Sequence, residues 1–166
     1  KNITVTEISG AVTVCSEKGR CDRMDNRKSY GLSLCANGQI TYIQNGKEYI
    51  SDNGCAVVLP KGGTYFIKRD KSGTFPVINF DCLEPLCDTI TVIHVQNAEE
   101  LIFDYERMKK LLYFDGNRAQ IFSIFWTSLF PIWMQDFVCR PVRRSAAFRK
   151  PPALPPFSSP TTRRRP

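Results

Sequence analysis

Gly54-Cys55-Ala56-Val57-Val58-Leu59-Pro60-Lys61-Gly62-Gly63-Thr64-Tyr65 is the stretch whose reading decides the fold of this chain. The apolar run 55–59 is too short for a helix and reads as a strand buried on both faces. Gly54 allows the turn into that strand, Pro60 fixes φ at its exit, and Gly62 permits a sharp return into a strand over residues 64–69. Just upstream, two alternating runs flank Asn45-Gly46. Asn-Gly favours a type I′ turn, in which both central residues take positive φ, so residues 39–50 are predicted to form a β-hairpin. Asp52-Asn53-Gly54 makes the turn that follows.

Strand patterns continue on both sides. Residues 3–8 and 12–15 read as short strands, residues 18–28 as a charged loop, and residues 29–35 as a strand with Tyr30, Leu32 and Leu34 on one face. Lys71-Ser72-Gly73 is predicted to turn the chain back into a strand over 75–83, and residues 89–95 form the last strand. Short strands at regular spacing with Gly-rich turns predict a sandwich or small barrel.

The period then changes. Asn97 is the expected N-cap of an amphipathic helix over residues 98–114, with Glu99 and Glu100 in its first turn. Leu101, Tyr105, Met108, Leu111 and Leu112 recur at three- and four-residue steps. Asp115-Gly116-Asn117 breaks this helix, and residues 118–130 form a second one, ended by Pro131. Ile121, Phe122, Phe125, Trp126 and Leu129 make its wide apolar face. The expected organisation is a barrel over 1–96, a helical segment over 97–138 and a disordered tail over 139–166.

The net charge of +7 has one source. Eight lysines and arginines and no acid fall between Arg140 and Pro166, which leaves fifteen basic against sixteen acidic residues in the first 139 positions. The body is near neutral, and the basic character belongs to a Pro- and Arg-rich tail that carries no helical or strand period. Such a tail can touch nucleic acid through phosphates, but a solvated tail is the plainer reading. The abrupt change of character near Cys139 also fits a frameshifted reading frame.

The cysteine count is odd, at seven, and no two have C-x-x-C spacing. With His94 as the one histidine, neither a zinc site nor any other metal is expected. Cysteines scattered through apolar strands read as reduced, buried small hydrophobes of an intracellular protein. The first residues are polar and alternating, unlike a signal peptide, and the apolar run 121–134 is too short to span a bilayer. A cytoplasmic setting without membrane partners is expected.

The pattern from Gly54 to Tyr65 has the form G-x5-P-x-G-x2-(H/Y) and resembles the second motif of cupins, with Tyr65 where metal-binding cupins place a histidine. Together with the preceding hairpin, the residue 75–83 strand and the helix pair, it resembles the N-terminal domain of AraC-family transcription regulators over roughly residues 28–130. The resemblance implies a cupin-like double-stranded β-helix barrel followed by an antiparallel helix pair. It further implies that a small-molecule effector, often a sugar, sits in the barrel and that the helices pair two protomers into a homodimer. That family reads DNA through helix-turn-helix units, and no such spacing follows Phe137, so DNA contact is expected only through a domain outside this chain.

Tyr30, Tyr42 and Tyr65, with Tyr49, are candidates to line the effector pocket, since aromatic faces and hydroxyls suit such ligands. Half-buried packing is the commoner role of a strand tyrosine. Arg23, with Arg27 and Lys68, is the candidate for an anionic group, against the plainer reading of solvated loop charge. His94 reads as a satisfied core residue. Tyr105, Met108, Leu112, Phe122, Phe125 and Leu129 are candidates for dimerisation or helix core. No catalytic residue and no cofactor is expected, because the chain lacks the cupin histidines and any acid–base pair around Tyr65. A metal-free sugar-binding cupin, a cupin enzyme and a nonfunctional remnant are the competing readings.

Overall fold

The computed structural model describes residues 3–115 and 118–125. It is a nearly closed antiparallel barrel of eight strands followed by a helix pair. The strands are β1 (Val5–Ser16), β2 (Cys21–Met24), β3 (Tyr30–Leu34), β4 (Asn37–Gln44), β5 (Lys47–Ser51), β6 (Cys55–Leu59), β7 (Tyr65–Cys82) and β8 (Thr91–His94).

The long strand β7 joins the two halves of the barrel. Its first part, through Tyr65 to Lys71, lies between β2 and β4, with β5 beyond β4. Its second part, through Gly73 to Cys82, lies between β1 and β3, with β6 and β8 beyond β3. The expected turn at Lys71-Ser72-Gly73 is therefore absent, and the strand runs on through it. The reason is steric. A Cβ on Gly73 would lie 2.1 Å from the Asn37 carbonyl oxygen and 2.7 Å from Gly38 Cα, so this glycine marks a close approach of two backbones. The crossing is fastened where Thr74 N donates to Asn37 Oδ1 at 3.0 Å and Ala36 N to the Thr74 carbonyl at 2.9 Å.

Two further expectations change. The charged segment 18–28 contains β2, which among the described residues pairs only with β7 and so tolerates polar residues as an edge strand does. The two short strands expected before it are one strand, β1, with a register shift between Ile8 and Gly10. The hairpin forms as expected: Tyr42 opposes Tyr49, and Asn45 and Gly46 both take positive φ, 52° and 74°.

Two apolar cores lie on the two faces of one sheet. Val57, Leu59, Tyr42, Tyr65 and Phe75 fill the barrel interior. Ala56, Val58, Leu32, Ile78 and Phe80 face the other way and pack under the helices. The run Cys55–Leu59 is apolar throughout because alternate residues serve different cores.

Helix α1 (Ala98–Lys110) starts at Asn97, whose side chain accepts from Glu100 N at 3.4 Å and donates to Glu100 Oε2 at 2.8 Å. It runs into a π-helical turn, Leu111–Asp115, and α2 (Arg118–Ile124) follows. Leu101, Tyr105 and Met108 form the buried stripe of α1, joined by Ile121, Ile124 and Phe125. Each such side chain contributes about 1.5–3 kcal/mol when fully buried. The candidate dimer residues Tyr105, Met108 and Phe125 are thus consumed by the chain's own core, and Leu112 and Phe122 are half-buried against it. A stripe that packs on a sheet and one that packs on a partner have the same period, which is why the sequence could not separate them. Leu129, Pro131 and the basic tail lie outside the described residues.

Candidate ligand-binding cavity

The barrel holds a cavity of about 210 Å³ that opens to the outside. Its walls are apolar, from Val14, Ile40, Phe75 and others, and Val12, 41% exposed, lies at its rim. Against this lining stand two guanidiniums, those of Arg27 and Arg69.

Arg27 is positioned by the Pro-Gly turn. Its backbone N donates to the Gly63 carbonyl at 3.0 Å, and its carbonyl accepts from Gly62 N at 2.7 Å. Gly62 takes φ +75° and so supports the return that presents this N–H. The Arg27 guanidinium then occupies the space above Gly31, where a Cβ would lie 2.5 Å from Nη2. From there Nη2 donates to Asn79 Oδ1 and Nη1 to the Tyr65 hydroxyl at 3.4 Å. Asn79 is the cross-strand neighbour of Gly31, so one row of the sheet supplies both the vacant space and the acceptor.

Arg69 is buried on β7, with Nη1 2.6 Å from Asp22 Oδ2. Partial desolvation works against the Asp22 carboxylate, but hydrogen bonds from Arg20 and Arg69 outweigh it and hold its carboxyl below the usual range. The Nε atoms of Arg27 and Arg69 are both buried without a hydrogen-bond partner. Buried polar groups are ordinarily satisfied, and orphaned ones in a cavity wall suit a ligand acceptor.

The expected tyrosines separate. Tyr42 and Tyr65 line the cavity edge to face, with ring centroids 5.8 Å apart, and Tyr42 donates to Ser33 Oγ at 3.1 Å. Burial pushes the Tyr42 phenol up to about 12, and burial raises that of Tyr65 despite the nearby Arg27 charge, so both stay neutral. Tyr30 is on the opposite face of β3, packed on Phe80 beneath the helices, with its hydroxyl accepting from Leu86 N at 3.1 Å. The strand alternation that groups Tyr30 with Leu32 and Leu34 turns all three away from the cavity. Tyr49 packs at the edge of the interior core beneath Lys47.

Arg23 is outside the cavity: it pairs with Asp25 at 2.8 Å and lies over the Phe66 ring on the outer surface. Lys68 pairs with Asp70, also on the outside. His94 is exposed rather than in the core, with Nδ1 3.5 Å from Cys55 Sγ. Gly54 N donates to Asp52 Oδ1 at 3.0 Å, in a turn that does not need positive φ. Pro60 is fully buried, and its carbonyl accepts from Gly63 N at 3.2 Å. Among the described residues no group of three or more histidines, cysteines or acids could hold a metal ion. No helix among them is long and apolar enough to cross a membrane.

Arg69 had a signal in the sequence. It shares the parity of Tyr65 and Ile67 on one strand, and a charge on an inward parity marks a special position. Arg27 was a candidate only as one of three charges, and nothing in the sequence set it apart from Arg23 and Lys68, because its inward course depends on the turn at Gly62 and the space at Gly31.

The architecture is that of a cupin-like barrel with an interior ligand cavity. Among solved structures it is similar to ToxT from Vibrio cholerae, in a 1.65 Å structure with a TM-score of 0.52 and 10% identity, covering 79% of this chain and 58% of that one. A second ToxT structure, bound to (E)-4-(8-methylnaphthalen-1-yl)but-3-enoic acid, has a TM-score of 0.51 and 9% identity and covers 82% and 58%. The chain spans a little over half the length of these ToxT chains. No family model and no curated protein sequence matches the chain.

Proposed function

We propose that this chain is the ligand-sensing domain of an AraC-type transcription regulator, acting in the cytoplasm with a small-molecule effector in its barrel. The observation that carries the reading is the apolar cavity with two guanidiniums in its wall, each with a buried Nε that has no hydrogen-bond partner. An apolar cavity with a few convergent polar groups in its wall is the usual form of a small-molecule binding site. The fold likeness to ToxT, an AraC-family regulator, supports the same reading, as does the small organic acid in one ToxT structure.

DNA contact falls to a helix-turn-helix domain distinct from the barrel. Homodimerisation is assigned to the outer face of the helical segment, where Phe103 and Phe114 stand 64% and 85% exposed. Methyl NMR on the full chain, titrated with a panel of sugars and small organic acids, tests the sensing role. Shifts at Val14, Ile40 and Val77 are expected with at least one compound class. A panel that moves no cavity methyl group rules the role out.

A further inference from the structure

We propose that the cavity takes a compact monoanionic carboxylate, about one ring and a short chain in size, and that Arg27 clasps its charge. The inference rests on the sensing role above and adds the chemical class of the effector.

Charge balance decides the class. Arg69 already faces a carboxylate, that of Asp22 at 2.6 Å, which it shares with the solvent-exposed Arg20 at 3.0 Å. Arg27 has only neutral partners, the Tyr65 hydroxyl and the Asn79 amide, and among the described residues no carboxylate pairs with it. One uncompensated positive charge therefore stands in an apolar wall, a costly arrangement unless an anion completes it. A single carboxylate restores neutrality. A dianion overshoots it, and a sugar leaves the guanidinium unpaired.

The site is also pre-organised. The Arg27 backbone is held by both of its hydrogen bonds to the Gly62-Gly63 turn, and its guanidinium has a vacant seat over Gly31. A planar fork held in place is the group best suited to a carboxylate. Size narrows the class further. A cavity of about 150 Å³ in another protein accepts benzene, so about 210 Å³ leaves room for a ring with a few more heavy atoms. Val12, Val14, Met24, Ile40, Phe75 and Val77 supply the apolar surround for that body.

Isothermal titration of the full chain with phenylpropionate, octanoate, hexadecanoate, phenylpropanol and arabinose tests the proposal. Phenylpropionate and octanoate are expected to bind, with phenylpropanol weaker by about tenfold or more, the scale of a lost charge-assisted hydrogen bond. Arg27→Gln is expected to lower the acid to the affinity of the alcohol and leave the alcohol unchanged. Gly31→Ala keeps the charge but fills its seat, and is expected to weaken the acid more than the alcohol. Equal affinity of acid and alcohol for the unaltered chain overturns the proposal, a comparison that stands even where Arg27→Gln fails to fold. Full acid affinity in folded Arg27→Gln also overturns it, as does hexadecanoate binding more tightly than octanoate. Arabinose binding without acid binding overturns the acid class while leaving the sensing role intact. No binding by any of the five removes the sensing role with it.

Discussion

A methyl group on Gly73 would sit 2.1 Å from the Asn37 carbonyl, far inside contact distance, and the obstructing atom is backbone. Gly73→Ala must therefore open the crossing of β4 and β7 rather than shift a side chain. A loss at or above the usual overpacking cost of about 1–3 kcal/mol is expected in urea denaturation. A loss below about 0.5 kcal/mol, the range of ordinary surface changes, would refute the close-approach account. The thiols give a second expectation at this scale. Burial raises Cys35 and Cys82 to about 11 and Cys87 to about 12, each from the ordinary thiol value of 9.0, and raises Tyr42 from 10.0 to about 12. A group whose folded pKa is raised contributes stability that is complete below its unfolded pKa and is lost as pH rises toward the folded value. Stability set by these groups is thus complete below pH 9 and declines toward pH 12. A melting temperature that stays level from pH 9 to 11 would contradict this. At neutral pH, iodoacetamide should label exposed Cys15 and Cys21 well before Cys35, Cys82 and Cys87, as read by peptide mass spectrometry.

Helix α1 depends on its first turn and on its buried stripe in different ways. Asn97 satisfies one free backbone N–H and is in turn held by Glu100, so Asn97→Ala should cost about 1 kcal/mol without altering the barrel. Chemical denaturation measures this, and an unchanged midpoint would mean the cap contributes nothing. Beside their shared apolar core, α1 and β1 have a polar link: Tyr105 OH lies 3.0 Å from Thr13 Oγ1, which also accepts from Lys109 Nζ at 2.7 Å. On the same strand, the flanking residues Val12 and Val14 line the cavity. Strand β1 thus touches both the ligand space and the helix, as β7 also does.

The molecule as a whole is a sheet with a core on each side, one enclosed by the barrel and one capped by helices. Tyr105, Met108 and Phe125 are used internally, so the pairing of two copies proposed above is placed on the outer surface of the helical segment. In light scattering, the doubly substituted Phe103→Ser, Phe114→Ser chain is expected to be monomeric where the unaltered chain is dimeric, with little change in melting temperature. A double variant that remains a dimer would move the interface elsewhere.

Much of the fold was legible because its signals are local. The Asn45-Gly46 hairpin, the Pro60-Gly62 turn, the apolar run 55–59 and the Asn97 cap each follow from dihedral preference or side-chain period within a few residues. Gly73 misled because a glycine in a turn and a glycine under another backbone look alike in sequence. What tertiary structure alone decided is the inside of the barrel. Alternation groups residues by face but does not say which face is enclosed and which lies under helices, so Tyr42 and Tyr65 reached the cavity and Tyr30 did not. Arg27 and Arg69 meet there only because β7 crosses between both halves of the barrel and the Gly62 turn pins Arg27 across from it, a consequence of long-range strand register.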